Sequence, residues 1–187
     1  DIFACFRERH EDWERLPDKV AIHLNDTHPA LAVAEFVRRL VDDMFETMDA
    51  AEGVGLAANQ IGQALRIAVV DADGERFAMI NPMIVEASGK ASEEEGCLSI
   101  PEVYAEVTRP ERVVLEATGR DGVRYRLEAD GLKARAIQHE IDHLDGILFL
   151  DRLSPMKRRL LVAKYRREHK EGESLLREVA RPSGRTP

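Results

Sequence analysis

Helices interleaved with short strands are what this sequence predicts, on three observations. Apolar residues recur at spacings of three and four at Val33, Val37, Leu40, Met44 and Met48, and again at Ala134, Ile137, Ile141 and Leu144. That spacing marks helices with one buried face. Between those stretches, short apolar runs bounded by turn residues read as strands. A further helix start, Ser154-Pro155, follows the second stretch.

The chain has 187 residues, enough for one domain with a real core. Hydrophobic residues make up 44% and charged residues 33%, as in ordinary globular proteins. A net charge of −8 argues against general nucleic-acid affinity, so no specific DNA partner is expected. No apolar run approaches the roughly 20 residues of a membrane helix. The first residues are charged and hold no signal-peptide core, so a cytoplasmic setting is expected. The two cysteines, Cys5 and Cys97, permit a disulfide, but reduced thiols suit this composition better.

The elements follow in order. Asp1–Arg15 is charged, with Phe3, Phe6 and Trp13 interspersed, and reads as a short helix. Lys19–Leu24 reads as a strand, and Asn25–Pro29 as a turn leading into one helix from about Pro29 to about Ala50. Gly53–Gln60 holds two glycines and two alanines, which allow backbone to approach closely, or simply make a tight helix-to-strand turn. Leu65–Asp71, Arg76–Ile80 and Met83–Glu86 are strand candidates, with Asn81-Pro82 ending the second. Ser88–Glu95 is polar and acidic and reads as a loop. Arg112–Thr118 and Val123–Ala129 form a hairpin, because Asp121-Gly122 is a strong turn signal. Gly131-Leu132 leads into a helix ending near Leu144–Gly146, and Ser154 caps a last, basic helix. Residues 173–187 form a tail.

The chemistry concentrates in Gln138-His139-Glu140-Ile141-Asp142-His143. On a helix, His139 and His143 stand at i and i+4, with Cβ atoms roughly 5–6 Å apart. Two imidazoles at that spacing can hold one metal ion, and Glu140 beside them can take a proton from a metal-bound water. The apolar stripe on the same helix argues that it is buried and carries a site, rather than being a solvated helix. A third ligand is then needed. Cys97, in Glu95-Gly96-Cys97-Leu98-Ser99, reads either as a buried apolar cysteine or as that ligand in thiolate form.

Gly53–Gln60, Glu95–Ser99 and Gln138–His143 together resemble the peptide deformylase family, whose motifs G-x-G-x-A-A-x-Q, E-G-C-L-S and Q-H-E-x-D-H stand here in the same order without a gap. The resemblance runs from about Leu40 to about His169. It implies an α+β fold, with mixed or antiparallel sheets around a central H-E-x-x-H helix and a C-terminal helix. It implies Cys97, His139 and His143 as metal ligands and Glu140 as general base and later proton donor. Gln60 and the backbone N–H of Leu98 would bind the developing oxyanion, and Gly55 would bond substrate backbone. Val54, Leu132 and the Glu93–Glu95 loop, Glu95 included, would border the pocket for a methionine side chain. The implied reaction removes the formyl group from the N-terminal methionine of new polypeptides. The implied metal is Fe(II), with Zn(II), Ni(II) or Co(II) as substitutes. The basic C-terminal helix implies docking on the ribosome.

Lys19–Asp42, with Leu24-Asn25-Asp26-Thr27-His28-Pro29-Ala30-Leu31, resembles instead a fragment of glycogen phosphorylase. That resemblance would place His28 near a sugar site, and it puts a join inside one helix near Leu40-Val41-Asp42. Residues 1–42 then act only as strand, turn and helix ahead of a catalytic domain at 43–172, and loss of the family's usual first segment is expected to lower stability. Two other readings compete: a zinc endopeptidase, since His139–Gly146 continues as H-E-x-x-H-x-x-G, and a ribosome-associated chimera without catalysis. Phe149 stands where such an endopeptidase has a third histidine.

Overall fold

The computed structural model describes residues 29–168. The expected helix at Asp1–Arg15, strand at Lys19–Leu24 and tail at 173–187 lie outside them, as do Cys5 and His28. Helix α1, Pro29–Ala50, has the expected bounds. Leu40, Met44 and Met48 on its apolar stripe are buried. They join Leu56, Ile61, Ile67 and Val69 in one core cluster.

The strands are β1 (Gly55–Ala57), β2 (Ile67–Ala72), β3 (Glu75–Ser88), β4 (Ala91–Cys97), β5 (Ile100–Arg109), β6 (Arg112–Thr118) and β7 (Arg124–Asp130). They build a five-stranded sheet in the order β1-β2-β3-β6-β7 and a separate two-stranded sheet, β4-β5. Each described pairing is antiparallel. Helix α2, Gly131–Leu144, lays Ala134, Ile137 and Ile141 on the five-stranded sheet, in a second core cluster with Val70, Leu115 and Ala129. The β6–β7 hairpin turns at Asp121-Gly122 as expected.

Two expectations are corrected. Arg76–Ile80 and Met83–Glu86 are one strand, β3, rather than two. Asn81 takes a left-handed φ of 51°, and the register with β6 shifts between Ile80 and Met83. Asparagine tolerates that conformation, and proline is accommodated at a bulge, so Asn81-Pro82 kinks the strand without ending it. Ser88–Glu95 is not a loop either, since β4 begins at Ala91 and pairs with β5 through Gly96↔Tyr104. Its Ser92, Glu93 and Glu94 are exposed and only Glu95 is buried, so the strand shows little apolar alternation.

The protein divides into two units between Phe149 and Leu150. The first holds the strands, α1 and α2. The second holds helix α3, Pro155–Glu168, where Ser154 accepts the Lys157 N–H at 3.4 Å as the expected cap.

Candidate active site and metal centre

Helix α2 presents the histidines. Its end forces a tight stop just past His143. The Ile147 N–H reaches Asp142 O at 2.8 Å and the Gly146 N–H reaches His143 O at 3.0 Å, with Gly146 at φ 74°. This is a Schellman closure, and glycine is the residue that takes its left-handed position at least cost. The Asn59 side chain donates to His143 O, which ties the turn after β1 to the helix end.

His139 and His143 stack edge to face, with ring centroids 4.8 Å apart. Their Nε2 atoms are 3.2 Å apart, and Cys97 Sγ lies 3.2 Å from His143 Nε2. The three donor atoms all fall within 4.8 Å of one another. Cys97 carries a free thiol. Burial alone would raise its pKa, but hydrogen bonds from His139 and His143, and their charge, bring it down to about 6. The thiolate is therefore the favoured form.

Glu95 is turned inward. Burial would raise its pKa, yet hydrogen bonds from His139, Arg109 and Arg135 hold it down at about 2. Its Oε2 sits 3.2 Å from His139 Nδ1. An ionised carboxylate only accepts, so Nδ1 carries a proton, and a metal held at Nε2 would take the place of the second ring proton. Burial would lower the His139 pKa, but its contacts with Cys97 and Glu95 raise it to about 10.

Glu140 is 4% exposed, and its Oε2 has no hydrogen-bond partner among the described residues. Burial pushes its pKa up to about 7, against the charge of His139 and His143. A buried carboxylate oxygen without a partner is costly to the fold and marks a place where something else binds. Thiolate and two imidazoles suit a first-row divalent transition ion or zinc and not magnesium or calcium. The residues present therefore fit a catalytic metal, with three protein donors and Glu140 beside them.

A cleft of about 660 Å³ opens on this cluster. Val54, Gly55, Gln60, Leu98, Leu132 and Glu95 line it with Cys97, His139 and Glu140. Val54 and Leu132 are half-exposed at its mouth. Gln60 is buried and fixed from both ends. Its Oε1 accepts the Ala57 N–H at 2.8 Å, and its Nε2 donates to Ser99 Oγ at 3.0 Å. Gly55 has a steric reason to be glycine: a Cβ there would fall 2.8 Å from Glu140 Cδ and 2.9 Å from its Cγ.

The sequence reading missed what lies behind the cluster. Arg109, Arg135 and Asp142 are buried and paired. Arg135, His139 and Asp142 are spaced by four and three on one helix face, and that charged stripe was the available signal. Phe149 is buried and stacks on His139 with centroids 6.4 Å apart, where an endopeptidase of this pattern would need a histidine.

This is the arrangement of a metal-dependent hydrolase of the H-E-x-x-H class, with a thiol as the third donor. A family model described as polypeptide deformylase matches residues 17–159. A peptide deformylase of Chromobacterium violaceum is 49% identical over 138 residues, covering 72% of this chain and 83% of that one. One from Acidobacterium capsulatum is 45% identical over 153 residues, covering 78% and 90%. A crystal structure of a peptide deformylase from Legionella pneumophila superposes with a TM-score of 0.68 at 43% identity, covering 79% of this chain and 86% of that one. The chain belongs to the polypeptide deformylase family. The match begins at residue 17 rather than near Leu40, so it takes in Lys19–Asp42, and the comparisons give no support to a phosphorylase origin for that segment.

Proposed function

We infer that this protein is a peptide deformylase: it removes the formyl group from the N-terminal methionine of newly made polypeptides. The observation that carries the reading is the convergence of Cys97, His139 and His143 beside Glu140, whose Oε2 has no partner among the described residues, in an open cleft.

The roles follow from position. Cys97, His139 and His143 would hold the metal. When bound, it would activate water and polarise the formyl oxygen. Glu140 takes the proton from the attacking water and later delivers it to the departing amine nitrogen, and its pKa of about 7 suits both transfers. Water oxygen bonds to the formyl carbon, the C–N bond breaks, and formate leaves with a free amine. The Gln60 amide and the Leu98 N–H serve as donors to the developing oxyanion, and such donors are each worth about 10²–10³ in rate. Gln60 pre-anchored by Ala57 and Ser99 fits that role, because it need not reorganise. Strand β1 pairs with β2 on one edge only among the described strands. Its free edge at Gly55 is suited to receive substrate backbone, with the methionine side chain between Val54 and Leu132.

We take Fe(II) as the native metal, with Zn(II), Ni(II) or Co(II) as substitutes, and the cytoplasm as the setting. No helix among the described residues is long and apolar enough to cross a membrane. Helix α3 concentrates Lys157, Arg158, Arg159, Lys164, Arg166 and Arg167, which supports docking on the anionic ribosome. Charge reversal at Arg158, Arg159, Arg166 and Arg167 should weaken co-pelleting with ribosomes while sparing activity on free peptide; unchanged pelleting would count against this helix.

The test of the reaction is formate release from formyl-Met-Ala-Ser, run beside digestion of an unformylated protein. Formate without proteolysis is expected. Proteolysis without formate would revive the endopeptidase reading.

A further inference from the structure

The donors of the cluster come from two parts of the fold. Cys97 ends β4 in the two-stranded sheet, whereas His139 and His143 ride on α2 against the five-stranded sheet. No strand of one sheet bonds to the other among the described strands. The buried Val103 and Val107 of β5 belong to neither core cluster. A set of buried polar contacts ties the hairpin to α2. Arg109 is 3% exposed; from β5 it grips Glu95 with two bonds, Nε to Oε1 at 2.6 Å and Nη2 to Oε2 at 2.9 Å. Its Nη1 reaches Asp142 Oδ2 on α2 at 2.8 Å. From α2, Arg135 reaches back to Glu93 at 3.1 Å, to Val107 O at 3.0 Å and to Glu95.

We propose that Arg109 is the positioning residue that assembles the metal centre, locking the Cys97 hairpin against the histidine helix and aiming His139 through Glu95. The inference rests on the reading of Cys97, His139 and His143 as metal ligands. The geometry explains why arginine stands there. A planar guanidinium carries five N–H donors in a fixed fork, so one side chain can bind a carboxylate with two parallel bonds and still serve another. One face fixes Glu95, whose other contact sets the His139 ring and its proton. The third nitrogen fixes Asp142, the neighbour of His143. Loss of the clasp therefore misplaces donors on both sides of the site at once. Lysine carries the same charge, but its donors radiate from one nitrogen and cannot make the parallel two-bond grip on Glu95 while reaching Asp142.

The experiment reads metal affinity, not activity. Zn(II) binding to the full-length metal-free protein is measured by competition with a chromophoric chelator, for wild type, Arg109→Lys, and the neutral triple Arg109→Met/Glu95→Gln/Asp142→Asn. The triple removes the Arg109 charge together with those of both acids it grips, while Arg135 keeps its ion pair with Glu93, which preserves folding better than stranding Glu95 and Asp142. Circular dichroism and thermal unfolding are recorded for each. Both variants should fold, and both should bind Zn(II) about 10–100-fold more weakly, the range found when groups that orient metal ligands are lost. The absorption bands of the Co(II) form should shift in both, because donor geometry changes. A folded variant with wild-type Zn(II) affinity and an unshifted Co(II) spectrum would overturn the proposal. So would failure of both variants to fold in saturating Zn(II), which would make Arg109 a purely structural residue. Wild type that binds Zn(II) tightly yet releases no formate would sink the deformylase reading and leave this one standing.

Discussion

Gly55 and Glu140 show how closely one residue's chemistry depends on another's missing side chain. Glu140 is buried, so it cannot swing away from a Cβ that would sit under 3 Å from its carboxylate carbon. Gly55→Ala should therefore displace the base while the donors Cys97, His139 and His143 stay put. A shift of about 1 Å can cost about 10² in rate. We expect kcat for formyl-Met-Ala-Ser to fall by about that factor with bound metal unchanged, as read by formate release and metal analysis. At this scale much of the site was legible. His139, Glu140, His143 and Cys97 are all brought together, because the first three share one helix and chemistry demanded a soft third donor. Glu95 was legible as a cleft residue but not as the partner of His139 Nδ1. That contact depends on pairing between β4 and α2, which no local pattern encodes.

Elements were legible where they bury an apolar face and obscure where they do not. α1 and α2 kept their stripes, and β6 kept its bounds. β4 was lost because its polar residues face solvent and its one buried side chain is an acid held by Arg109 and Arg135. β3 was split because proline was read as a stop, whereas Asn81 absorbs the irregularity in a bulge. Tyr125 is a test at this scale. From β7 it donates its hydroxyl to Ala78 O of β3 at 2.9 Å, and burial pushes its pKa up to about 12. As pH rises past about 10, the unfolded chain loses this proton first. The folded state then binds more protons than the unfolded state, so stability falls with pH between about 10 and 12 and is fully present below that window. Urea unfolding from pH 9 to 11 should show this slope in wild type and lack it in Tyr125→Phe. At pH 8 that variant should be less stable by about 0.5–1.5 kcal/mol, the worth of one hydrogen bond. Equal slopes would contradict the assignment.

Across the whole molecule, the five-stranded sheet is the frame and α1 and α2 are what it carries. Met48 is fully buried where α1 meets β1 and β2. Met48→Ala should cost about 2–5 kcal/mol by denaturant unfolding, with catalysis by the remaining folded protein near wild type. The helices and the β6–β7 hairpin were readable because turns and apolar runs are local, whereas the α+β class and the antiparallel sheets were legible only through the family's three motifs. The existence of two sheets was not, since it depends on which strand pairs with which. Nor was the polar clasp between the hairpin and the histidine helix.

The central claim is that Glu140 moves the proton at a metal held by Cys97, His139 and His143. Its most direct test is formate release per bound metal in protein loaded anaerobically with Fe(II), comparing wild type with Glu140→Ala. The account predicts equal metal content in both and formate release slower in the variant by at least about 10² for loss of the proton-transfer group. A variant that holds metal and still releases formate at the wild-type rate would contradict it.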